Sequence, residues 1–202
     1  MRGVEQIPWA YDLLVHLLEA TGLARWRGWL AEGASGRTLD LGCGTGRSLP
    51  LFPAGARVIG IDPEIRLLLR ARTRARGHSG GAPLLLARAE ALPLPDGAFD
   101  TVVVSLVFCS VEEPPKGLLE IRRVLAERGT LRMMEHVRPG GVAGRLADLL
   151  QPAWTFVAGG CRPNRRTEGA VKRAGFRIEP STRVARGTLR RFVARPRGGP
   201  LP

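Results

Sequence analysis

The chain has 202 residues, of which 44% are hydrophobic and 24% charged, the balance of an ordinary globular domain. That length allows one domain, or one domain with a small cap, and a full core. No apolar run approaches the roughly 20 residues that a membrane span needs, so we expect no transmembrane segment. Lysine and arginine total 31 against 18 acidic residues, and the net charge of +13 predicts affinity for anionic partners.

The first segment, residues 7–30, carries apolar residues at helical spacing. We predict two helices here, which form an N-terminal helical cap over residues 1–34. Three tryptophans lie in this segment, Trp9, Trp26 and Trp29. They either line an apolar substrate pocket or pack the helices onto a sheet, and the sequence favours neither.

Cysteine usage and the N-terminal composition indicate the compartment. Cys43, Cys109 and Cys161 are far apart and form no C-x-x-C pair, which is typical of reduced cytosolic thiols. Acidic residues and a proline interrupt any signal-peptide core near the N-terminus. We therefore predict a cytoplasmic protein, and we assign no metal site.

A glycine turn follows the first predicted strand, which contains Leu39 and Leu41. Gly42, Gly44 and Gly46 alternate after it, and residues 47–49 are predicted to open a helix. Such glycines permit a tight turn and let a ligand approach bare backbone. The spacing is G-x-G-x-G, which differs from the G-x-G-x-x-G of dinucleotide-binding turns.

The second predicted strand, residues 58–61, ends in Asp62. An acidic residue about 20 positions past the first strand suits the two hydroxyl groups of a ribose. Pro63 then begins a helix, with Asp62 near its N-cap and with Ile65, Leu68 and Leu69 on its core face. These signals together predict a nucleoside-binding half of a doubly wound sheet.

The same helix carries Arg66, Arg70 and Arg74 at i, i+4 spacing. Such a row more often lies in solvent than binds phosphates, so we expect only weak, non-specific binding to anionic lipid or nucleic acid.

The remaining elements complete an α/β fold, with a doubly wound, mostly parallel, seven-stranded sheet. The domain spans residues 35–195, and residues 196–202 form a Pro/Gly-rich tail that we expect to be frayed. Further strands are predicted at residues 84–86, 99–104, 129–136, 176–178 and 189–194, and helices at 118–125, 143–156 and 168–174.

The glycine turn at residues 39–46 resembles motif I of class I S-adenosylmethionine-dependent methyltransferases, and residues 60–62 resemble their second motif. The resemblance implies a Rossmann-like fold and S-adenosyl-L-methionine as cofactor. It places Ala89 and Glu90 at the adenine edge, where many relatives have an acid at the position of Arg88. The implied cofactor-binding residues are Asp40, Gly42, Cys43, Gly44, Gly46, Asp62, Pro63, Ala89, Glu90 and Ser105.

Two of those residues concern the methionyl ammonium of the cofactor. Asp40, at the end of the first strand, is expected to accept from it directly or through water. In the wider family the main-chain carbonyl near Ser105 is the usual partner of the same group. Cys43 is expected to be a small filler of the turn rather than a nucleophile.

Later stretches narrow the resemblance. Residues 52–58, 108–111, 120–125 and 134–137 resemble the methyltransferase-like group that includes thiol S-methyltransferases. Residues 44–53 also resemble bacterial phospholipid N-methyltransferases, and residues 92–100 resemble quinone C-methyltransferases. We therefore expect a small-molecule acceptor, first a thiol, with phospholipid or quinone as the alternative. RNA methylation and non-catalytic cofactor binding are less favoured.

Methyl transfer needs the nucleophile and the methyl group held in line, an effect that at best contributes on the order of 7–11 kcal/mol. A thiol ionises easily beside positive charge, so a dedicated base is optional. Glu135 and His136, at the end of the fifth predicted strand, are the candidates if one exists. For His136, ordinary packing in the core is an equally good interpretation.

Overall fold

The computed structural model describes residues 22–157 and 160–198. Within them, eight strands form one sheet with helices against both faces. The strands are β1 (Arg37–Leu41), β2 (Arg57–Asp62), β3 (Leu84–Leu86), β4 (Phe99–Ser105), β5 (Leu125–His136), β6 (Phe176–Ile178), β7 (Val184–Arg186) and β8 (Leu189–Pro196). The α-helices are α1 (Ala24–Glu32), α2 (Ile65–Arg76), α3 (Pro114–Val124), α4 (Gly141–Val157) and α5 (Thr167–Arg173).

The strand order is β3-β2-β1-β4-β5-β8-β6, which is a doubly wound arrangement. The five strands β1 to β5 pair in parallel, whereas β8 runs antiparallel to both β5 and β6. This confirms the predicted α/β sheet. The predicted count of seven strands is one short, because the short β7 forms a hairpin with β8.

The parallel register brings the carboxyl ends of the central strands level. Leu41 pairs with Ile61 on one side and with Val104 on the other. Val102, Val103 and Val104 are fully buried, because β4 is covered on both faces. Ligands of open α/β sheets bind at this carboxyl edge, beside the point where the strand order reverses.

Alternation along the strands divides the core in two. Val102, Val104 and Met133 face one cluster, which packs against α3 and α5. Val103 and Met134 face the other, which packs against α1 and α2. The side of the sheet on which a residue lies therefore follows from its position along the strand.

Arginines on the sheet hold α1 in place. Arg132 donates to the carbonyl oxygens of Trp29 and Leu30 at 2.6 and 2.8 Å. Its guanidinium also lies over the Trp29 ring, as does that of Arg191. Trp26 is buried in the same contact region. For these two tryptophans packing is therefore observed, while Trp9 and the first predicted helix lie outside the described residues.

Two local predictions are wrong. The helix expected to open at residues 47–49 is a single 3-10 turn, Leu49–Leu51. It stops because Pro53 forces Phe52 into an extended conformation, with φ −69° and ψ 143°.

The second error concerns the buried face of α2. Leu68 is buried as predicted, but Ile65 and Leu69 are 50% and 54% exposed, and Leu67 and Ala71 face the core in their place. The helix begins later than predicted because the Glu64 side chain caps it, accepting from the Arg66 N–H at 3.2 Å.

No helix in the described parts of the chain is long and apolar enough to cross a bilayer.

Candidate functional site

The glycine turn after β1 is held against β2 by hydrogen bonds. Gly42, Gly44 and Gly46 all have positive φ, at 69°, 55° and 77°, a conformation that other residues rarely adopt. The Cys43 N–H donates to the carbonyl of Ile61 at 2.9 Å. The turn thus presents nearly bare backbone at the carboxyl edge of the sheet.

Asp62 fastens this turn with its side chain. Its Oδ2 accepts from the Gly44 N–H and its Oδ1 from the Glu64 N–H, both at 2.9 Å. The carboxylate is 6% exposed, and burial raises its pKa. Each carboxylate oxygen has a second lone pair, so Asp62 can still accept from a ligand hydroxyl. Pro63, which follows Asp62 in the sequence, is exposed.

Asp40 is buried at the end of β1 with an unsatisfied oxygen. It is 1% exposed, and no group in the described part of the chain hydrogen-bonds its Oδ2. Burial raises its pKa to about 7, although the Arg27 guanidinium opposes the shift. Such an orphaned acceptor suits a cationic donor, because unpaired buried carboxylates are costly. Arg27, itself buried, has no signal in the sequence that marks it as part of the site.

The β4–α3 loop (residues 106–113) packs directly on the glycine turn. A Cβ placed on Gly42 would overlap the Val107 side chain. Ser105 ends β4, and the next residue, Leu106, has φ 58°, a strained value for a side chain of its size. The Leu106 N–H donates to the carbonyl of Met134 at 2.8 Å. The position of this loop therefore sets the space beside the turn.

The Glu135 side chain hydrogen-bonds the backbone of the β4–α3 loop. Its Oε1 accepts from the N–H groups of Val107 and Phe108, both at 2.7 Å. The residue is fully buried, and its Oε2 has no partner among the described residues. Burial raises the pKa of the carboxyl to about 7, against the two backbone hydrogen bonds.

Arg165 completes the support of the loop. Its Nη1 donates to the carbonyl oxygens of Phe108 and Val111, both at 2.6 Å. Glu135 thus satisfies two N–H donors of the loop backbone, and Arg165 satisfies two of its carbonyl acceptors. The sequence does not reveal these contacts, because Glu135 lies 28 positions from Val107 and Arg165 lies 57 positions from Phe108.

His136 lies on the other side of the sheet from Glu135. By strand alternation it shares a face with Met134, which packs in the α1 cluster, whereas Met133 and Glu135 face the opposite cluster. Its Nδ1 is buried with no partner in the described residues, and burial lowers its pKa. The structure therefore does not bring the two candidate bases together.

The predicted adenine-edge residues carry structural contacts. Glu90 is 8% exposed, and its Oε1 accepts from the N–H groups of Glu112 and Glu113 at the start of α3. Ala89 is buried, and a Cβ on Gly117 would lie 3.4 Å from its methyl group. Contacts to α3 thus account for the burial of both residues.

The three cysteines differ in surroundings. Cys43 is buried in the turn, and burial raises the pKa of its thiol well above the usual range. Cys109 is buried in the β4–α3 loop, and Cys161 is partly exposed. Over residues 22–157 and 160–198, no group of three or more His, Cys, Asp and Glu side chains could hold a metal ion.

Comparison of the sequence with known proteins agrees with this geometry. Residues 39–133 match the family profile described as a methyltransferase domain. Human thiol S-methyltransferase TMT1B is 37% identical over 152 residues, which cover 71% of this chain and 62% of the relative. Demethylmenaquinone methyltransferase of Thermus thermophilus is 38% identical over 136 residues, covering 64% and 62%. The chain thus matches 62% of the length of each relative.

The fold is shared with solved structures. A structure described as an S-adenosylmethionine-dependent methyltransferase from Thermotoga maritima superimposes with a TM-score of 0.71, covering 96% of this chain and 98% of that one. The identity is 22%, so this likeness concerns the fold. It confirms the Rossmann-like arrangement predicted from the glycine turn.

Proposed function

Since this chain belongs to the class I S-adenosylmethionine-dependent methyltransferases, we propose that it transfers a methyl group from that cofactor to a small-molecule acceptor. The observation that carries the proposal is the orphaned Oδ2 of Asp40, buried beside the glycine turn. A carboxylate in that position satisfies the methionyl ammonium of the cofactor.

The residues at the carboxyl edge fit the rest of the cofactor. Asp62 retains lone pairs for the two ribose hydroxyls while its Gly44 bond keeps the turn closed. Leu86, paired with Asp62 across β2 and β3, is 53% exposed, and Ile65 is also exposed at the start of α2. These two side chains offer an apolar surface against which the adenine ring would pack.

Methyl transfer requires few reactive groups from the protein. When bound, the cofactor supplies a methyl group activated by a sulfonium. The chain then has to place the acceptor in line with that carbon and exclude water, so the rigidity of the β4–α3 loop matters. No cysteine is needed as a relay, because the sulfonium transfers its methyl group directly.

We assign Glu135 and His136 different roles. Glu135 is a positioning residue: it holds Val107 against Gly42 through the loop backbone and touches no reacting atom. His136 has a buried, unpaired Nδ1 and a lowered pKa, so it is neutral at pH 7 and able to accept a proton. It is the better candidate for a general base.

A thiol is the first proposed acceptor, because TMT1B is a thiol S-methyltransferase and its match covers 71% of this chain. A quinone or phospholipid is the second. That alternative is favoured by α4, on which Val142, Leu149 and Trp154 are 79%, 76% and 53% exposed. An exposed apolar face on the helix that follows the carboxyl end of β5 suits an acceptor that partitions into lipid.

Labelled cofactor and a panel of acceptors test the proposal. We expect S-adenosylhomocysteine to form with an aryl or alkyl thiol and to form more slowly, or not at all, with demethylmenaquinone, phosphatidylethanolamine vesicles or RNA. Preferred turnover of the quinone or the lipid would reverse the ranking. Cofactor binding without turnover of any acceptor would favour the non-catalytic alternative.

Single-turnover mass spectrometry tests the direct route. We expect no methylated cysteine at any point, and single Ser substitutions of the three cysteines should keep turnover within about tenfold, or 1.4 kcal/mol of barrier. A methylated cysteine that passes its methyl group on would contradict direct transfer. The cytoplasmic location and the weak binding of anionic polymers remain predictions.

A further inference from the structure

Two of the three cysteines are neighbours in the fold, and one of them lies in the β4–α3 loop. The side chains of Cys109, in that loop, and Cys161, just before α5, are in hydrogen-bond contact. They are 52 positions apart in the sequence, so only the fold brings them together. The proposed methyl transfer uses neither thiol.

The backbones around this dithiol are also tied together. The Arg162 N–H donates to the carbonyl of Cys109 at 2.7 Å, and the Thr155 hydroxyl donates to the carbonyl of Cys161 at 3.3 Å. The Cys109 Sγ also approaches the carbonyl of Leu106 at 3.5 Å. The main-chain bond from Arg162 to Cys109 therefore keeps the two cysteine-bearing segments side by side.

The two thiols have unequal access to solvent. Cys161 is partly exposed, whereas Cys109 is 5% exposed. The side-chain hydrogen bond with Cys161, and then burial, raise the pKa of the Cys109 thiol. Cys161 is thus the sulfur that a small reagent reaches first, and Cys109 is placed to react with it second.

We propose that Cys109 and Cys161 form a reversible disulfide that slows methyl transfer, with a low-molecular-weight disulfide as the oxidant. In the first step the Cys161 sulfur attacks one sulfur of the reagent, gives up its proton and releases one thiol. In the second, the Cys109 sulfur attacks the Cys161 sulfur of the mixed disulfide and releases the second thiol. The protein loses two protons and two electrons, equivalent to two hydrogen atoms, and the reagent gains them as its two sulfurs become thiols.

The effect on activity follows from where Cys109 lies. A hydrogen-bonded sulfur pair is longer than the roughly 2.05 Å of a disulfide, so the β4–α3 loop or residues 160–166 must move when the bond forms. Val107 of that loop packs on Gly42, and Glu135 holds its N–H. A displacement near 1 Å there can reduce turnover on the order of a hundredfold. The activity readout rests on the proposed function, but the chemical readouts below do not.

The experiment treats the full chain with cystamine, a small symmetrical disulfide, and then with dithiothreitol. Peptide mapping should find a Cys109–Cys161 cross-link, intact mass should fall by two hydrogens, and one thiol per chain should remain titratable after denaturation. Cys43→Ser should still form the cross-link. Cys109→Ser and Cys161→Ser should not.

Turnover provides the second measurement. We expect a loss of about tenfold or more on oxidation and recovery on reduction, with no such loss in Cys161→Ser treated identically. A mixed disulfide that persists at Cys161, or a cross-link between two chains, would overturn the proposed bond. A quantitative cross-link that leaves turnover unchanged would overturn its inhibitory role. Should the chain prove inactive with every acceptor, the mapping and mass results still decide whether the bond forms.

Discussion

Glu135 and His136 are consecutive on β5, yet their side chains lie on opposite faces of the sheet. Glu135 faces the α3 and α5 side and holds the backbone of the β4–α3 loop. His136 faces the α1 side with its Nδ1 unpaired among the described residues. Two residues that look like one acid–base pair in the sequence therefore have separate tasks, because side chains alternate along a strand.

Glu135→Gln should change how stability depends on pH. The pKa of Glu135 is raised to about 7 in the folded chain, so its contribution to stability is full below the unfolded pKa and is lost as pH rises through 7. Gln keeps an acceptor for Val107 and Phe108 but cannot ionise. We expect the free energy of unfolding, measured by urea denaturation, to fall less steeply between pH 6 and pH 8 in the variant, the two slopes differing by at most about 1.4 kcal/mol per pH unit.

Glu120→Gln is the matched control for that measurement. The hydrogen bond from Arg123 lowers the pKa of Glu120, so this carboxylate stays ionised from pH 6 to pH 8 and the slope should not change. The pKa of Asp40 is also about 7, so part of the dependence of stability on pH remains in Glu135→Gln. An unchanged slope in Glu135→Gln would contradict the raised pKa.

His136→Gln tests the general base. With a thiol acceptor, we expect turnover at neutral pH to fall about 10²–10⁴-fold if His136 removes the thiol proton. The deficit should vanish at high pH, where the acceptor ionises unaided. The pH–rate profile of both proteins measures this. A loss that is equal at all pH values would point to packing.

His78→Gln provides the comparison for His136. His78 is also buried, and its Nε2 lies 2.9 Å from the carbonyl of Ala56, beside the amino end of β2. That end of the strand is remote from the carboxyl edge. We expect this variant to lose some stability while its pH–rate profile keeps the shape of the native one.

Binding of the cofactor should release a proton through Asp40. Its pKa is about 7 in the free chain, and an ammonium beside it would lower that value. Titration calorimetry near pH 7, in buffers of different ionisation enthalpy, should show the release of a fraction of a proton. Asp40→Asn should abolish that fraction and weaken binding. The same release from Asp40→Asn would exclude this residue as the source.

Asp62→Ala should weaken binding of S-adenosylmethionine by about 1–3 kcal/mol, because it removes the ribose acceptor and the lock on Gly44. Asp100→Ala is a matched control, because Asp100 also accepts a backbone N–H, from Arg37 at 2.8 Å, but at the amino end of β1. It should affect stability and leave affinity unchanged. Calorimetry that gives native affinity for Asp62→Ala would remove Asp62 from the site.

The arginine row on α2 should bind anionic polymers weakly. Arg66 and Arg70 are exposed, but Arg74 donates to the carbonyl of Thr45 at 2.7 Å and so supports the glycine turn. Changing Arg66 and Arg70 to Ala should therefore leave the site intact. We expect weak binding of RNA and anionic vesicles, which falls steeply with salt. Nanomolar RNA binding at physiological salt, lost in the double variant, would contradict this.

The strands and the glycine turn follow from local patterns, which is why the sequence predicts them. Apolar runs such as residues 102–104 indicate strands buried on both faces, and the glycines with Asp62 indicate the turn and its partner. The same reasoning could have shortened the helix after the turn, since Pro53 is visible in the sequence. It could not fix the phase of α2, because Glu64 rather than Asp62 supplies the cap.

The tertiary structure alone decides which residues act on one another across long separations. Asp40 acquires its raised pKa from burial that no neighbour in sequence reveals. Glu135 reaches Val107, 28 positions away, and Cys109 meets Cys161 only because two loops pack together. Burial and hydrogen bonding depend on the packing of distant segments, so motifs identify the edge of the sheet that binds the cofactor, and the fold assigns each side chain its task.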